Sequence, residues 1–91
     1  MTKHYIRKDE FGTLYYYKDP EKTILHREDG PAVESTDRYR AWYQSGKLHR
    51  LDGPAREYAD GIKQYWYQNE KFPSIKTNEQ WKKHLKWMKF Q

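Results

Sequence analysis

Apolar and polar positions alternate in short runs along most of the chain. Residues 39–44 and 62–68 alternate with a period of two, which is typical of strands that bury one face. Turn-forming pairs adjoin these runs: Ser45-Gly46, Asp60-Gly61 and Asn69-Glu70. Asp-Gly favours a tight turn because glycine takes a positive φ without steric cost. The pattern predicts an antiparallel meander of six or seven short strands.

The last segment carries the period of a helix. Thr77, followed three residues later by Gln80, forms a capping box that predicts a helix over residues 77–89. One face of this helix carries Trp81, His84, Leu85 and Met88, and the opposite side carries Lys82, Lys83, Lys86 and Lys89. We expect the first face to pack on the sheet. The sequence therefore predicts one mainly β domain over residues 1–91, with strand repeats at 12–73 and one C-terminal helix.

A heptapeptide occurs twice in the predicted sheet. His26-Arg27-Glu28-Asp29-Gly30-Pro31-Ala32 returns as His49-Arg50-Leu51-Asp52-Gly53-Pro54-Ala55. An aromatic pair precedes it at Trp42-Tyr43, recurs at Trp66-Tyr67 after a spacing one residue longer than that of the heptapeptides, and has an earlier copy at Tyr16-Tyr17. The third unit ends at Pro73 without the heptapeptide. Two and a half units predict a short, capped repeat array.

The heptapeptide admits a catalytic and a structural interpretation. A histidine near an aspartate could act as a general base, and an arginine could stabilise an anionic transition state, as in a metal-independent nuclease. Tandem repetition favours a structural turn motif, in which the aspartate caps a turn, the arginine pairs with it and the histidine stacks on an aromatic ring. This motif comprises His26, Arg27, Asp29 and Gly30, and His49, Arg50, Asp52 and Gly53. We therefore predict no catalytic residue and no enzyme.

The aromatic pairs predict two aromatic rows, because side chains alternate between the faces of a strand. One row would hold Tyr16, Trp42 and Trp66, and the other would hold Tyr15, Tyr17, Tyr43, Tyr65 and Tyr67. The helix can cover only one row, so loops, a second copy of the chain or a partner must cover the other, unless it is a wet face. The tyrosine row is the predicted partner surface, with Arg40 and Arg56 flanking it and Lys82 and Lys83 steering association.

Composition and charge narrow the classes of function. The chain has no cysteine, and its four histidines lack metal-ligand spacing, so no disulfide, metal or cofactor is predicted. Residues 1–70 hold twelve basic and twelve acidic side chains, whereas residues 71–91 hold six lysines and one acid. This basic end suits nucleic acid, an anionic membrane or an acidic protein, or is a solvated lysine face. Without a long apolar run or signal peptide, we expect a cytoplasmic protein with no membrane insertion.

The unit W-Y-x-x-G-x-x-H-R-x-D-G-P-A, clearest from Trp42 to Ala55, resembles the MORN-like repeat variant (membrane occupation and recognition nexus) of small phage and bacterial proteins. Arg27 and Arg50 replace glycines of the ordinary repeat, which argues against lipid binding. The resemblance implies a β-hairpin scaffold for protein contacts. It implies, by genome type, a phage-encoded inhibitor of a host enzyme or defence system, such as an anti-CRISPR protein. The alternative is a nucleic-acid-binding accessory protein that uses the aromatic rows and the basic helix.

Overall fold

The computed structural model describes residues 5–37 and 39–88. The described residues form ten short strands and one helix. In chain order these are β1 (Tyr5–Lys8), β2 (Leu14–Tyr17), β3 (Val33–Glu34), β4 (Tyr39–Ala41), β5 (Tyr43–Gln44), β6 (Lys47–Leu48), β7 (Arg56–Tyr58), β8 (Lys63–Gln64), β9 (Trp66–Tyr67), β10 (Glu70–Lys71) and α1 (Asn78–Met88). The predicted mainly β fold with a C-terminal helix is confirmed. The predicted number of six or seven strands is too low, in part because two of the predicted strands are each divided into two.

The strands form one larger sheet and two separate hairpins, and all their pairings are antiparallel. The larger sheet has the order β1-β2-β3-β4-β7-β8. The hairpins are β5–β6 and β9–β10. Hairpin β5–β6 directly follows β4, and hairpin β9–β10 directly follows β8. In both places the chain first adds a strand to the larger sheet and then forms a hairpin outside it.

The two long predicted strands are each broken by a change of pairing partner. Up to Ala41 the backbone pairs with β3 and β7, and from Tyr43 it pairs with β6. At Trp42, between them, the N–H donates to Ala55 O and the carbonyl accepts from His49 N–H. Tyr65 divides β8 from β9 in the same way, with its carbonyl accepting from Phe72 N–H. Alternation alone does not reveal such a change, because the chain stays extended on both sides of it.

The third unit keeps the spacing of the heptapeptides, and the predicted match of Trp42 with Trp66 is wrong. The carbonyls of Tyr16, Trp42 and Tyr65 accept equivalent hydrogen bonds from the N–H groups of His26, His49 and Phe72. Tyr65, rather than Trp66, is therefore the counterpart of Trp42. A slip of one residue moves a side chain to the other face of a strand, so the predicted rows exchange members in the third unit.

Two of the three predicted turns form at their predicted residues, and the third is shifted by one residue, because Gln68-Asn69 rather than Asn69-Glu70 makes the turn before β10. Ser45 and Gly46 have φ angles of 49° and 83°, and Gln68 and Asn69 have 46° and 71°. Two successive positive φ angles are typical of the type I′ turn that matches the twist of paired strands. The Asp60-Gly61 turn is also confirmed, with a φ of 94° at Gly61 and a hydrogen bond from its N–H to Tyr58 O.

The helix closes the array at its third unit. The capping box is formed, since Gln80 N–H donates to Thr77 Oγ1 and Gln80 Oε1 accepts from the N–H groups of Lys76 and Thr77. Trp81 is fully buried and packs with Tyr65 and Ile75. The predicted helix end at Lys89 lies outside the described residues. Within the described part of the chain, no helix is long and apolar enough to cross a membrane.

Candidate functional site

The repeated heptapeptide forms a brace around its arginine. The Arg50 guanidinium carbon lies 3.8 Å from the centre of the Trp42 ring, and that of Arg27 lies 4.0 Å from the centre of the Tyr16 ring. Arg50 Nε donates to Asp52 Oδ1 at 2.9 Å, and Nη1 donates to Pro54 O at 3.1 Å. Arg27 makes the equivalent bonds to Asp29 and Pro31. The arginine therefore joins the bend to the aromatic ring of its own unit, as a structural motif should.

The glycine of the motif is required by space rather than by a special backbone angle. A Cβ on Gly53 would stand 3.0 Å from Arg50 Cζ, and one on Gly30 would stand 3.1 Å from Arg27 Cζ. Neither glycine has a positive φ. Each glycine therefore serves the bend by leaving room for the guanidinium of its own motif, which packs against the glycine as well as against the aromatic ring.

The two motif histidines link one unit to the next. His26 Nδ1 accepts a hydrogen bond from Ser45 N–H at 2.8 Å, and His49 Nδ1 accepts one from Gln68 N–H at 3.1 Å. Both acceptors lie 19 residues before their donors, so each histidine holds the hairpin turn of the following unit. His49 also packs edge-on against Tyr67, with ring centres 4.7 Å apart. Burial lowers the pKa of His49, which keeps its ring neutral and Nδ1 free to accept.

Each ring of the aromatic row on the motif side of the sheet has one group of the chain packed against it, and Trp42 also borders an open cleft of about 810 Å³. Arg27 covers Tyr16, Arg50 covers Trp42, and Trp81 of the helix packs on Tyr65 with ring centres 5.5 Å apart. We call this side the arginine face. Carboxylates line it beside the guanidinium groups, with Glu57 3.3 Å from Arg50 and Glu34 3.8 Å from Arg27. The cover predicted for one aromatic row is therefore made by two loops and a helix together.

The opposite side, which we call the tyrosine face, carries an open groove of about 670 Å³. Buried Val33 lies at its base, with Ala41 in the same apolar cluster. Its aromatic and aliphatic lining consists of Phe11, Tyr15, Leu25, Val33, Tyr39 and Tyr43, and its polar lining consists of Thr13, Ser35, Thr36 and Asp37. Phe11 is 81% exposed. This groove joins a large apolar area to hydroxyl groups, a combination enriched in protein-binding surfaces.

Hydrogen bonds and charges fix the rim of this groove. Tyr15 Oη donates to Asp9 Oδ2 at 3.1 Å, while the Arg7 guanidinium carbon lies 4.1 Å from the centre of the Tyr15 ring. Burial, together with the bond to Asp9, raises the pKa of Tyr15. Burial also raises the pKa of Tyr39, whose ring packs against Tyr58 at 5.1 Å. Both phenols are neutral donors at physiological pH.

The predicted tyrosine row is divided between three environments. Tyr15 and Tyr43 both line the groove. Tyr17 is buried and its hydroxyl accepts from Arg7 Nε at 3.3 Å. Tyr65 is buried under Trp81, and Tyr67 packs with it at the helix. The structure therefore does not assemble the five tyrosines into one surface, because Tyr17 is buried and because the register of the third unit turns Tyr65 and Tyr67 to the side of the helix.

The predicted basic contacts are also divided. Arg56 lies on the tyrosine face of β7, with its guanidinium carbon 5.2 Å from the centre of the Trp66 ring. Arg40 points to the other face, where its Nε lies 3.8 Å from Glu34 Oε2. Lys82 and Lys83 are exposed on the helix, remote in sequence from every residue of the groove. Of these four residues, Arg56 alone lies on the tyrosine face, and it is not among the residues that line the groove.

Of the ten residues that line the groove, sequence reasoning named Tyr15 and Tyr43, and the aromatic residues that it missed are Phe11 and Tyr39. Phe11 precedes Gly12 in a turn and belongs to no repeated position. Tyr39 lies two residues before Ala41 on the same face of β4, and that spacing of two was the available signal. No group of three potential metal ligands occurs among the described residues.

Comparison with known proteins adds no relative. No family model matches the chain, and no curated protein and no solved structure matches it either. The resemblance to MORN-like repeats therefore stays a prediction, and the function must be argued from the geometry of the two faces.

Proposed function

We propose that this chain is a non-enzymatic protein-binding module whose contact surface is the groove of the tyrosine face. The observation that carries the proposal is the apolar lining of this groove, in which four aromatic side chains stand beside Leu25 and Val33. A larger cleft of about 810 Å³ opens on the arginine face beside Trp42, but charged and polar groups form most of its lining. An open apolar groove on a small domain suits a partner.

The lining of the groove selects the kind of partner. Among the described residues that line it, Asp37 is the one that carries a charge, so the groove favours an uncharged apolar segment of a protein over a polyanion. The hydroxyls of Tyr39 and Tyr43 can bond to the backbone of such a segment. Tyrosine supplies large contact area at low entropic cost, which suits a binding surface.

A non-catalytic role is supported by the use made of the two motif histidines. Nδ1 of each accepts a backbone hydrogen bond, so neither has that nitrogen available as a base. The MORN-like resemblance extends the proposal to a phage-encoded inhibitor that occupies a surface of a host enzyme or defence protein. That extension rests on the resemblance alone.

The test compares two exposed side chains, one in the groove and one outside it. Phe11→Ser removes the most exposed aromatic group of the groove, and Ile62→Ser removes a 54% exposed side chain that lies elsewhere. Proteins are captured from nuclease-treated bacterial lysate with each variant, and the captured partner is then titrated against purified protein. We expect Phe11→Ser to weaken binding by about 1–3 kcal/mol and Ile62→Ser to leave it unchanged. Equal binding by both variants would refute the groove as the contact surface.

A second candidate function, nucleic-acid binding, is favoured by the exposed side of the helix. Trp87 is 60% exposed and lies one turn after Lys83, so a base could stack on its ring while the lysine contacts a phosphate. A 15-nucleotide oligothymidine titrated by Trp fluorescence tests this candidate. Binding that falls steeply with salt and is lost in Lys83→Glu would favour it over the protein-binding proposal.

A further inference from the structure

A second groove lies between the helix and the second heptapeptide. Its volume is about 440 Å³, and it is lined by Leu51, Tyr67, Lys82, Leu85, Lys86 and Met88. The two walls are tied together, because Trp81 Nε1 donates to Arg50 O at 2.9 Å. Since Leu51 directly follows Arg50, this bond fixes the distance between the loop and the helix. The groove therefore exists before any partner binds, which lowers the cost of binding.

The difference between the two heptapeptides creates the apolar wall of this groove. The copies are identical except at their third position, where the first has Glu28 and the second has Leu51. Leu51 is 54% exposed, and the brace around Arg50 does not use its side chain. The first heptapeptide forms the same brace with Glu28 at this position, so the brace does not require a leucine. The exposed Leu51 side chain instead forms part of the groove wall.

The charged members of the groove are both lysines. Lys82 and Lys86 are spaced by four residues, so they lie on one side of the helix beside the apolar strip of Leu85 and Met88. Neither forms an ion pair with another residue among residues 5–37 and 39–88. Met88 adds a flexible side chain that adapts to different apolar groups. The groove thus offers apolar contact with two positive charges at its edge.

We propose that this groove binds an acidic amphipathic segment of another protein. Leu51, Tyr67, Leu85 and Met88 would receive its apolar side chains, and Lys82 and Lys86 would pair with its carboxylates. The concave shape favours a protein segment over a flat membrane surface. This site is separate from the groove that contains Phe11 and does not depend on the function proposed there.

The experiment selects peptides from a random 16-residue displayed library against the full chain. We expect the selected sequences to place Asp or Glu beside apolar residues at helical spacing. Leu51→Glu, which installs the residue of the first heptapeptide, should weaken the best synthetic peptide at least tenfold without lowering the thermal midpoint. Lys82→Glu and Lys86→Glu should each weaken it three- to tenfold. Lys83→Glu is the matched control, because Lys83 does not line the groove, and it should change affinity less than twofold.

Several results would overturn the proposal. A selection that enriches no sequences, or enriches basic ones, would do so, as would peptides that bind Leu51→Glu as tightly as the parent chain. Tighter binding to phosphatidylserine vesicles or to the 15-nucleotide oligothymidine than to any selected peptide would assign the lysines to lipid or nucleic acid. Sedimentation that shows a dimer disrupted by Leu51→Glu would assign the groove to a second copy. The Phe11→Ser variant should bind the selected peptides normally, so failure of one site leaves the other testable.

Discussion

The brace around Arg50 leads to a prediction about Gly53. Because the φ of Gly53 is not positive, alanine is compatible with its backbone, and replacement would ordinarily stabilise the fold by about 0.4–1 kcal/mol through the unfolded state. The new Cβ would however stand 3.0 Å from Arg50 Cζ and 3.1 Å from Nη1. The guanidinium cannot move away freely, because the centre of the Trp42 ring lies 3.8 Å from its carbon.

Two costs therefore oppose the gain. Overpacking of this kind costs about 1–3 kcal/mol. Displacement of the guanidinium from Trp42 would instead forfeit a cation–π contact of about 0.5–2 kcal/mol. We expect Gly53→Ala to lower the free energy of unfolding by about 1–2 kcal/mol, which is a fall of several degrees in the thermal midpoint of a domain this small.

A double-mutant cycle in urea tests the cause as well as the size of this loss. In an Arg50→Ala background the neighbouring group is gone, so Gly53→Ala should become neutral or stabilising, with a coupling energy of about 1 kcal/mol or more. Gly61→Ala is the control, because its φ of 94° makes alanine strained while no atom lies within 4 Å of the new Cβ. Its cost should be the same in both backgrounds. A loss from Gly53→Ala that persists without Arg50 would refute the steric argument.

The remaining predictions concern the helix and His49. Trp81→Ala should lower the free energy of unfolding by about 3–5 kcal/mol in urea denaturation, because the side chain is fully buried. Leu85→Ala should cost less than the roughly 2–5 kcal/mol of a fully buried leucine, because Leu85 is half-buried at the rim of the same cluster; a larger loss would show deeper packing. The folded pKa of His49 is lowered, so the unfolded chain binds the proton more tightly. The contribution of His49 to the free energy of unfolding should be complete above about pH 6.5. It should fall as the pH drops through that value towards the folded pKa. His49→Asn should flatten this part of the stability profile, and an unchanged profile would contradict the assignment.

The sequence predicted those features of the fold that depend on local chemistry. The capping box at Thr77 and the Asp60-Gly61 turn are set by neighbouring residues, and both form as expected. The pairing of arginine with aspartate in the turn motif is likewise local, and Arg50 bonds to Asp52 as predicted. The structural interpretation of the motif still rests on its tandem repetition.

The distribution of residues between the faces could not be predicted from composition. Residue type alone matches Trp42 to Trp66, yet the backbone hydrogen bonds make Tyr65 the counterpart of Trp42, because hydrogen-bond geometry rather than ring chemistry sets the repeat. The predicted register of the third unit was off by one residue, so it assigned Tyr65 and Tyr67 to the wrong face. No sequence pattern indicated the hydrogen bond between His49 and Gln68, because it joins a side chain to a backbone N–H.

The ending of the array explains how the last ring of the arginine face is covered. If the third unit had a heptapeptide, the arginine that would cover Tyr65 would stand at position 73, where the chain has Pro73. The helix supplies Trp81 instead, which packs on Tyr65 and donates to Arg50 O, so it covers the last ring and ties itself to the preceding brace. Each of the three rings of the arginine face is then covered by a group from a segment that follows it in the chain. The groove on the tyrosine face also has a guanidinium over one of its rings, since the Arg7 carbon lies 4.1 Å from the centre of the Tyr15 ring. Phe11 is nevertheless 81% exposed there. The two faces therefore differ in the chemistry of what stays accessible, because charged and polar groups line most of the cleft beside Trp42, whereas aromatic side chains line the groove beside Tyr15.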